Sequence, residues 1–244
     1  MAPHRPLHLQ EPFTPKHTIL ALLIVALGFG LRLQSAGGEL WQDEIWSLNL
    51  AATMTVWHEA FWNVIHDNNH PLNTLYLFLA GPDREPWQYR LFSVVGGTLS
   101  IIAAGWAVAR GGAGRILSAM LLTAVLYPLV HFGSEARGYG LMVLFSFIAF
   151  GAVDRAEHET SPYRWLFALA VGLGTLSHLS ILPIVFFMTI AFGLRRMSEG
   201  NGVLLSFHQT MRLRPKAKVM KKTMGKMLRC ESVPRPTAKA NSHR

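Results

Sequence analysis

The sequence predicts an all-α membrane protein, a polytopic bundle of about six transmembrane helices. Half of its 244 residues are hydrophobic and only 15% are charged, and its mean hydropathy is +0.26. This composition argues against a soluble domain. The chain also contains several uncharged apolar segments close to the roughly 20 residues that a helix needs to cross a bilayer.

Six apolar segments are the predicted spans. The first is short enough to resemble a signal peptide, with residues 35–38 as an alternative cleavage region. We expect it to be retained, because Arg32 lies at its end and more spans follow. Residues 165–194 are too long for one ordinary span, so we expect a hairpin turning near 177–180, with a single tilted helix as the alternative. The predicted spans are residues 17–34, 91–109, 116–133, 138–153, 164–177 and 179–194.

The lysine and arginine residues of the short loops predict the orientation of these spans. Residues 1–16 form a cytoplasmic N-terminus, and the first loop, 35–90, is extracytoplasmic. We therefore expect a multi-pass protein of the plasma (inner) membrane with its active face outside the cytoplasm. Residues 197–244 form a basic cytoplasmic tail, since 212–244 hold 11 of the 23 Lys and Arg residues and one of the 14 acidic residues.

The basic tail is expected to be disordered or to contact anionic lipid headgroups. Nucleic acid is a less favoured partner, because the tail lacks interleaved aromatic residues and known nucleic-acid-binding motifs. The single cysteine, Cys230, lies in this tail, which excludes a disulfide framework and a multi-cysteine zinc site. The chain also has no glycine-rich phosphate-binding motif, which argues against a soluble nucleotide-binding domain.

The first extracytoplasmic loop contains two predicted interfacial segments. Apolar residues recur at helical spacing over 45–65, together with several tryptophans, which is typical of a helix that lies on a bilayer. A shorter apolar segment follows Pro71, and we expect it to be a re-entrant or surface helix that begins at this proline.

The charged and imidazole side chains near the predicted outer boundary are candidate site residues. Such groups are costly next to lipid and often serve a function. A purely structural explanation also stays open. Glu135 and Arg137 would then form an ion pair at a helix end, His178 would be a hydrogen-bonded packing residue, and the acid pair at 43–44 would interact with the dipole of a helix N-terminus. The candidates are Asp43, Glu44, His70, Glu135, Arg137 and His178.

Five short motifs, in this order, resemble those of the GT-C membrane glycosyltransferases. The closest similarity is to the protein-mannosyltransferase-like branch, which includes the RgtA/B/C/D-like and aminoarabinose-transferase families. The motifs are Trp41-Gln42-Asp43-Glu44, His70-Pro71-Leu72-Asn73-Thr74-Leu75-Tyr76, Arg90-Leu91-Phe92-Ser93-Val94, Ser134-Glu135-Ala136-Arg137-Gly138-Tyr139 and Ser177-His178-Leu179.

The resemblance implies an enzyme that transfers a hexose or pentose, with inversion, from a polyprenyl-phosphate donor to an extracytoplasmic acceptor. Asp43 would be the general base, or would ligate a divalent cation such as Mg²⁺ or Mn²⁺, and Glu44 would support it. The remaining roles are assigned by residue: Arg137, His70 and Arg90 would bind the donor phosphate, and Glu135 and His178 would support the site or face the acceptor.

The motifs also depart from the family pattern. The segment at His70 lacks a second proline, and the segment at Glu135 lacks a preceding glutamine. The similarity covers residues 15–196, whereas family members continue through further spans, so two alternatives stay open, a complete short enzyme and a truncated or frame-disrupted product. A non-catalytic membrane fragment or accessory protein is the main alternative. A transporter is less favoured, because the charges lie at one rim and not along the spans.

Overall fold

The computed structural model describes residues 13–64, 66, 69–156, 162–195 and 197. The predictions for the extreme N-terminus and for the basic tail with Cys230 lie outside these residues. The chain divides into two units, residues 1–189 and 190–244. The second unit contributes only the end of one helix and Met197 to the described residues.

Every regular element in these described ranges is helical, in agreement with the predicted fold class. A short 3₁₀ turn, Ala109–Gly111, joins two of the longer helices. The helices are α1 (Pro15–Ser35), α2 (Gln42–Ala52), α3 (Glu59–Trp62), α4 (Pro71–Ala80), α5 (Pro86–Ala107), α6 (Ala113–Val125), α7 (Tyr127–Phe132), α8 (Tyr139–Ala156) and α9 (Pro162–Ser177), followed by α10 (Ile181–Arg195).

Three of these helices, α1, α5 and α8, are long and apolar enough to cross a membrane. This length and composition indicate a membrane protein. Helices α6 and α10 are apolar but shorter, and α9 has 16 residues. Six helical segments therefore lie close to the six predicted spans, while the crossing of a membrane by all six stays a prediction. The predicted turn near 177–180 is where α9 ends and α10 begins.

The predicted span 116–133 is two helices, because the chain breaks at Leu126. Pro128 follows the break, and it has no amide hydrogen to donate to the carbonyl of Ala124. The fully buried Arg32 of α1 replaces that donor. Its guanidinium donates to the carbonyl oxygens of Thr123 at 2.9 Å and Ala124 at 3.4 Å. Arg32 therefore satisfies backbone oxygens that the broken helix leaves open.

The prediction of a single helix over residues 45–65 was wrong. Helix α2 ends at Ala52, and the short helix α3 begins seven residues later. The carboxylate of Glu59 accepts hydrogen bonds from the amides of Thr55 and Val56 at 2.6 and 3.3 Å, which closes the intervening turn. Several tryptophans of this region are exposed, as an interfacial segment requires, and its placement at a bilayer surface stays a prediction.

The long helices form a bundle, and the candidate site lies at one of its ends. Helix α8 packs between α5 and α9, and α1 packs against α5 and α6. Helices α1 and α9 end where α5 and α8 begin, and the short helices α2 and α4 pack together at this same end. Small residues allow close packing: a Cβ on Gly151 of α8 would clash with the Trp106 ring of α5.

Replacing Arg32 tests its structural role. We expect Arg32→Ala to lower the free energy of unfolding by about 2–3 kcal/mol, because buried carbonyl groups lose a charged donor. The measurement is thermal unfolding of the purified protein in detergent micelles. Arg110→Ala is the control, since Arg110 forms a partly exposed ion pair with Asp154, a kind of pair worth about 0–1 kcal/mol. Equal losses in the two variants would contradict the role given to Arg32.

Candidate functional site

A buried ion pair between Glu44 and Arg90 lies at the centre of this end of the bundle. Nε and Nη2 of Arg90 donate to the two carboxylate oxygens at 2.9 and 2.6 Å. The side chains are 0% and 2% exposed, respectively. Burial alone would raise the pKa of Glu44, but hydrogen bonds from Arg90 and from the amides of Ala136 and Trp41 hold that pKa below its usual value.

Arg90 also binds the chain segment that follows α1. Its Nη1 donates to the carbonyl oxygens of Ala36 and Gly38 at 2.9 and 3.0 Å, and its Nη2 donates to that of Glu39 at 2.8 Å. With the two bonds to Glu44, all five guanidinium N–H groups have acceptors. Arg90 therefore joins α1, α2 and α5, and it has no remaining donor for a phosphate group.

The loop between α7 and α8 is held by its backbone. The amide of Ala136 donates to Glu44, and its carbonyl oxygen accepts from Asn73 of α4 at 2.8 Å. The hydroxyl of Ser93 in α5 donates to the carbonyl oxygen of Arg137. Gly138 lies against the end of α9, where a Cβ would clash with the carbonyl oxygen of Ser177. These contacts fix the position from which the Arg137 side chain extends.

Asp43 and Arg137 meet at the surface of this assembly. Oδ2 of Asp43 lies 3.0 Å from Nη1 of Arg137, and the two side chains are 48% and 15% exposed. Asp43 directly precedes the buried Glu44 on α2. Because Glu44 is held in the ion pair, the Asp43 side chain is positioned towards solvent. A cleft of about 320 Å³ opens here, lined by Trp41, Gln42, Asp43, His131, Phe132, Glu135 and Arg137.

Glu135 and His131 form a second pair in the same cleft. Nε2 of His131 lies 3.2 Å from Oε1 of Glu135, and Oε2 of Glu135 lies 3.9 Å from Nη1 of Arg137. Burial raises the pKa of Glu135, although the nearby His131 and Arg137 act in the opposite direction. The cleft thus contains one exposed carboxylate and one buried carboxyl group, on either side of a guanidinium.

A stack of aromatic rings supports the guanidinium from below. Arg137 lies over the Tyr139 ring at 4.8 Å, Tyr139 stacks on His178 at 4.2 Å, and His178 stacks on His70 at 4.4 Å. Burial is the main cause that lowers the pKa of His70 to about 3 and that of His178 to about 4, with Arg137 adding to both shifts. Both imidazoles are therefore neutral at physiological pH.

The structure brings the sequence-predicted candidates together. Asp43, Glu135 and Arg137 line one cleft, as a shared site requires. His70 and His178 lie in the supporting stack, and His70 is only 4% exposed. The Arg90 guanidinium, predicted to bind the donor phosphate, is occupied by Glu44 and by backbone carbonyl groups, and Glu44 lies buried directly behind Asp43, which it was predicted to support. All these role assignments stay predictions.

Five residues of this site were not among the sequence-predicted candidates, and they include Gln42 and Phe132 in the cleft lining. Trp41 and His131 line the cleft, and Tyr139 lies between Arg137 and His178. His131 lies within the predicted span 116–133. Its position beside the cleft was not predicted, because the break at Leu126 was not predicted. The four-residue spacing from His131 to Glu135 was the available signal, because side chains at this spacing come close where the chain coils, although α7 ends at Phe132.

Comparisons with protein-family models, with curated proteins and with solved structures find no match to this chain.

The ion pair can be tested by comparing two adjacent acidic residues. We expect Glu44→Gln and Arg90→Met each to lower the free energy of unfolding by about 3–5 kcal/mol, because each leaves a buried charge without its partner. The double variant should lose less free energy of unfolding than the sum of the losses in the two single variants. Asp43→Asn should change it by at most about 1 kcal/mol, since its pair with Arg137 is half exposed. Equal effects of the 43 and 44 substitutions in detergent-based unfolding would contradict this account.

The histidine stack predicts a loss of stability on mild acidification. When the pH is lowered from 7.5 to 5, the unfolded chain gains protons on His70 and His178, whose ordinary pKa is 6.5. The folded chain does not, because the pKa values of both histidines are lowered. The free energy of unfolding therefore decreases as the pH is lowered. Glu135, with its raised pKa, acts in the opposite direction. The measurement is therefore a difference between variants.

Unfolding midpoints across this range should decrease less in His178→Phe than in the wild type, because phenylalanine keeps the stack but takes up no proton. His58→Phe is the matched control, since His58 lies at the surface, and its curve should parallel the wild type. A parallel curve for His178→Phe would show that the stack does not titrate in this way.

Proposed function

We propose that this chain transfers a sugar from a polyprenyl-phosphate donor to an acceptor outside the cytoplasm. The observation that carries the proposal is the meeting of Asp43 and Arg137, 3.0 Å apart, in a cleft at one end of a bundle with membrane-length helices. A lipid-linked donor needs a phosphate-binding cation and a proton acceptor at such a boundary. Arg137 and Asp43 supply these two groups.

Arg137 binds the phosphate of the donor. A guanidinium can pair with two phosphate oxygens at once, and this geometry favours arginine over lysine. The backbone contacts of residues 136 and 137 and the Tyr139 ring hold the guanidinium in place before the donor arrives. An arriving phosphate competes with Asp43 for Arg137 and so releases the carboxylate for chemistry.

Asp43 is the general base. An acceptor hydroxyl transfers its proton to the Asp43 carboxylate as its oxygen bonds to the anomeric carbon of the sugar. The bond from that carbon to the phosphate oxygen breaks, and polyprenyl phosphate leaves with the electron pair. Arg137 stabilises the charge on this leaving group. Attack opposite the leaving group inverts the anomeric configuration.

A divalent cation in this cleft would be held by Asp43 together with the substrate and water. No three Cys, His, Asp or Glu side chains lie close enough together to hold a metal ion, among the described residues. Mg²⁺ commonly takes one or two carboxylates together with substrate phosphate oxygens and water. Asp43 would supply the carboxylate in that case, and the cation would neutralise the leaving phosphate.

The remaining residues position these groups. His70 and His178 support Tyr139 beneath Arg137, and the pair of Glu44 and Arg90 places Asp43 at the rim of the cleft. Glu135 lines the same cleft, where it would support these groups or face the acceptor. A non-catalytic fragment or accessory protein would keep this architecture without transfer, so a turnover measurement separates the two.

Substitution of the proposed base should reduce transfer. We expect Asp43→Asn to lower kcat by about 10²–10⁴-fold, the usual contribution of a general base, and not to raise the KM for the donor, because the variant removes the carboxylate that competes for Arg137. The assay uses membranes that contain the full chain and a panel of labelled polyprenyl-phosphate hexoses and pentoses. The product should have the opposite anomeric configuration to the donor.

Asp154→Asn is the matched control, because Asp154 also pairs with an arginine, Arg110, but lies at the other end of α8. This variant should retain wild-type turnover. Equal transfer by Asp43→Asn and the wild type would remove Asp43 from the mechanism. An absence of transfer by the wild type across the whole panel would favour the non-catalytic alternative.

A further inference from the structure

One wall of the cleft is an exposed tryptophan that the proposed mechanism does not use. Trp41 is 62% exposed and lines the cleft beside Asp43. Its amide donates to the Glu44 carboxylate at 2.8 Å, so its backbone is tied to the buried ion pair. Its indole N–H donates to no other residue in the described part of the chain. The ring is therefore held at the surface by its backbone and keeps an open hydrogen-bond donor.

His131 limits the orientation of this ring. The Trp41 and His131 rings meet edge to face, with centroids 6.3 Å apart and planes at 88°. His131 is fixed in turn, because it stacks on Tyr127 at 5.4 Å and lies 3.2 Å from the Glu135 carboxyl group. An edge-to-face contact occupies one region of the indole and leaves much of the remaining ring surface accessible, in agreement with the high exposure of Trp41.

The other lining residues are mostly hydrogen-bonding groups. Gln42 is exposed next to Trp41, and its side-chain amide can donate two hydrogen bonds and accept others. Glu135 lines the same cleft, and its carboxyl group is largely buried. The cleft of about 320 Å³ is at the small end of ligand pockets, which usually span about 300–1,000 Å³.

An aromatic surface bordered by amide and carboxyl groups fits one chemical class of ligand. A sugar ring has a face made of C–H groups, and burial of that face against an aromatic ring removes apolar area from water. Its hydroxyl groups need hydrogen-bond partners when they leave water. A prenyl chain needs no such partners, and a phosphate group needs cations instead of an aromatic face.

We propose that Trp41 stacks on the C–H face of a sugar ring while Gln42 and Glu135 bind its hydroxyl groups. This sugar subsite adjoins the phosphate-binding Arg137, and the assignment rests on the proposed function. The ring belongs either to the donor or to a carbohydrate acceptor, since both present the same chemistry. Trp41 then determines which sugars the cleft accepts.

The test is equilibrium binding to the full chain in lipid nanodiscs, with three sets of probes. These are polyprenyl phosphates that carry a hexose or a pentose, polyprenyl phosphate without a sugar, and short oligosaccharides. Trp41→Ala is compared with Trp62→Ala, because Trp62 is also exposed, at 76%, but does not line the cleft. Trp41→Phe keeps an aromatic face and should retain most of the affinity.

We expect Trp41→Ala to weaken binding of the sugar-bearing donor about tenfold, the scale of one aromatic contact. Binding of bare polyprenyl phosphate should stay within about twofold, since Trp41 does not touch the phosphate in this account. A loss confined to the oligosaccharides would instead assign the ring to the acceptor. Trp62→Ala should match the wild type in every arm.

The outcomes separate this inference from the proposed function. If bare polyprenyl phosphate binds in an Arg137-dependent way while Trp41→Ala and Trp62→Ala behave alike with all sugars, the subsite is wrong and the proposed function stands. If polyprenyl phosphates do not bind but oligosaccharides bind in a Trp41-dependent way, the subsite stands and the proposed donor is wrong. Absence of any binding overturns both.

Discussion

The arrangement of the candidate site depends on the buried ion pair between Glu44 and Arg90. This pair joins the segment after α1, the start of α2, the start of α5 and the loop before α8. Two buried charges are costly unless each is fully hydrogen-bonded, and here backbone groups supply the additional bonds. Because Glu44 is fixed in this way, Asp43 is held at the rim of the cleft, and Ala136 places the next residue, Arg137, opposite it.

Buried arginines at helix ends are a recurring device in this bundle. Arg32 donates to carbonyl groups at the break between α6 and α7. Arg155 of α8 donates to the carbonyl oxygen of Trp106 near the end of α5 at 2.7 Å and lies over its ring at 4.0 Å. Helix ends leave carbonyl groups without partners, and in an apolar surrounding those groups must be satisfied within the protein. A long, permanently charged side chain with five donors meets this need.

Hydropathy predicted the helical fold class and the approximate position of each long helix, because the uninterrupted apolar segments are longer than those found in the loops of soluble proteins. The hydropathy pattern did not predict the break at Leu126, because a proline such as Pro128 can occur within an apolar segment. Only the structure shows that Arg32 supplies the hydrogen-bond donor that Pro128 lacks. The clustering of Asp43, Glu135 and Arg137 followed from their place in loops on the same predicted face, close to the predicted spans. The partner of Glu44 did not, because a pair separated by 46 residues leaves no trace in local spacing.

The central claim is that Arg137 binds the phosphate of a lipid-linked donor, and the most direct measurement is binding of polyprenyl phosphate to the purified protein. Native mass spectrometry of the full chain should show a bound lipid phosphate in the wild type and in Arg110→Gln, whose arginine also pairs with an aspartate. Arg137→Gln should lose that binding by tenfold or more, since a charged hydrogen bond is removed. Equal binding by Arg137→Gln and the wild type would contradict the account.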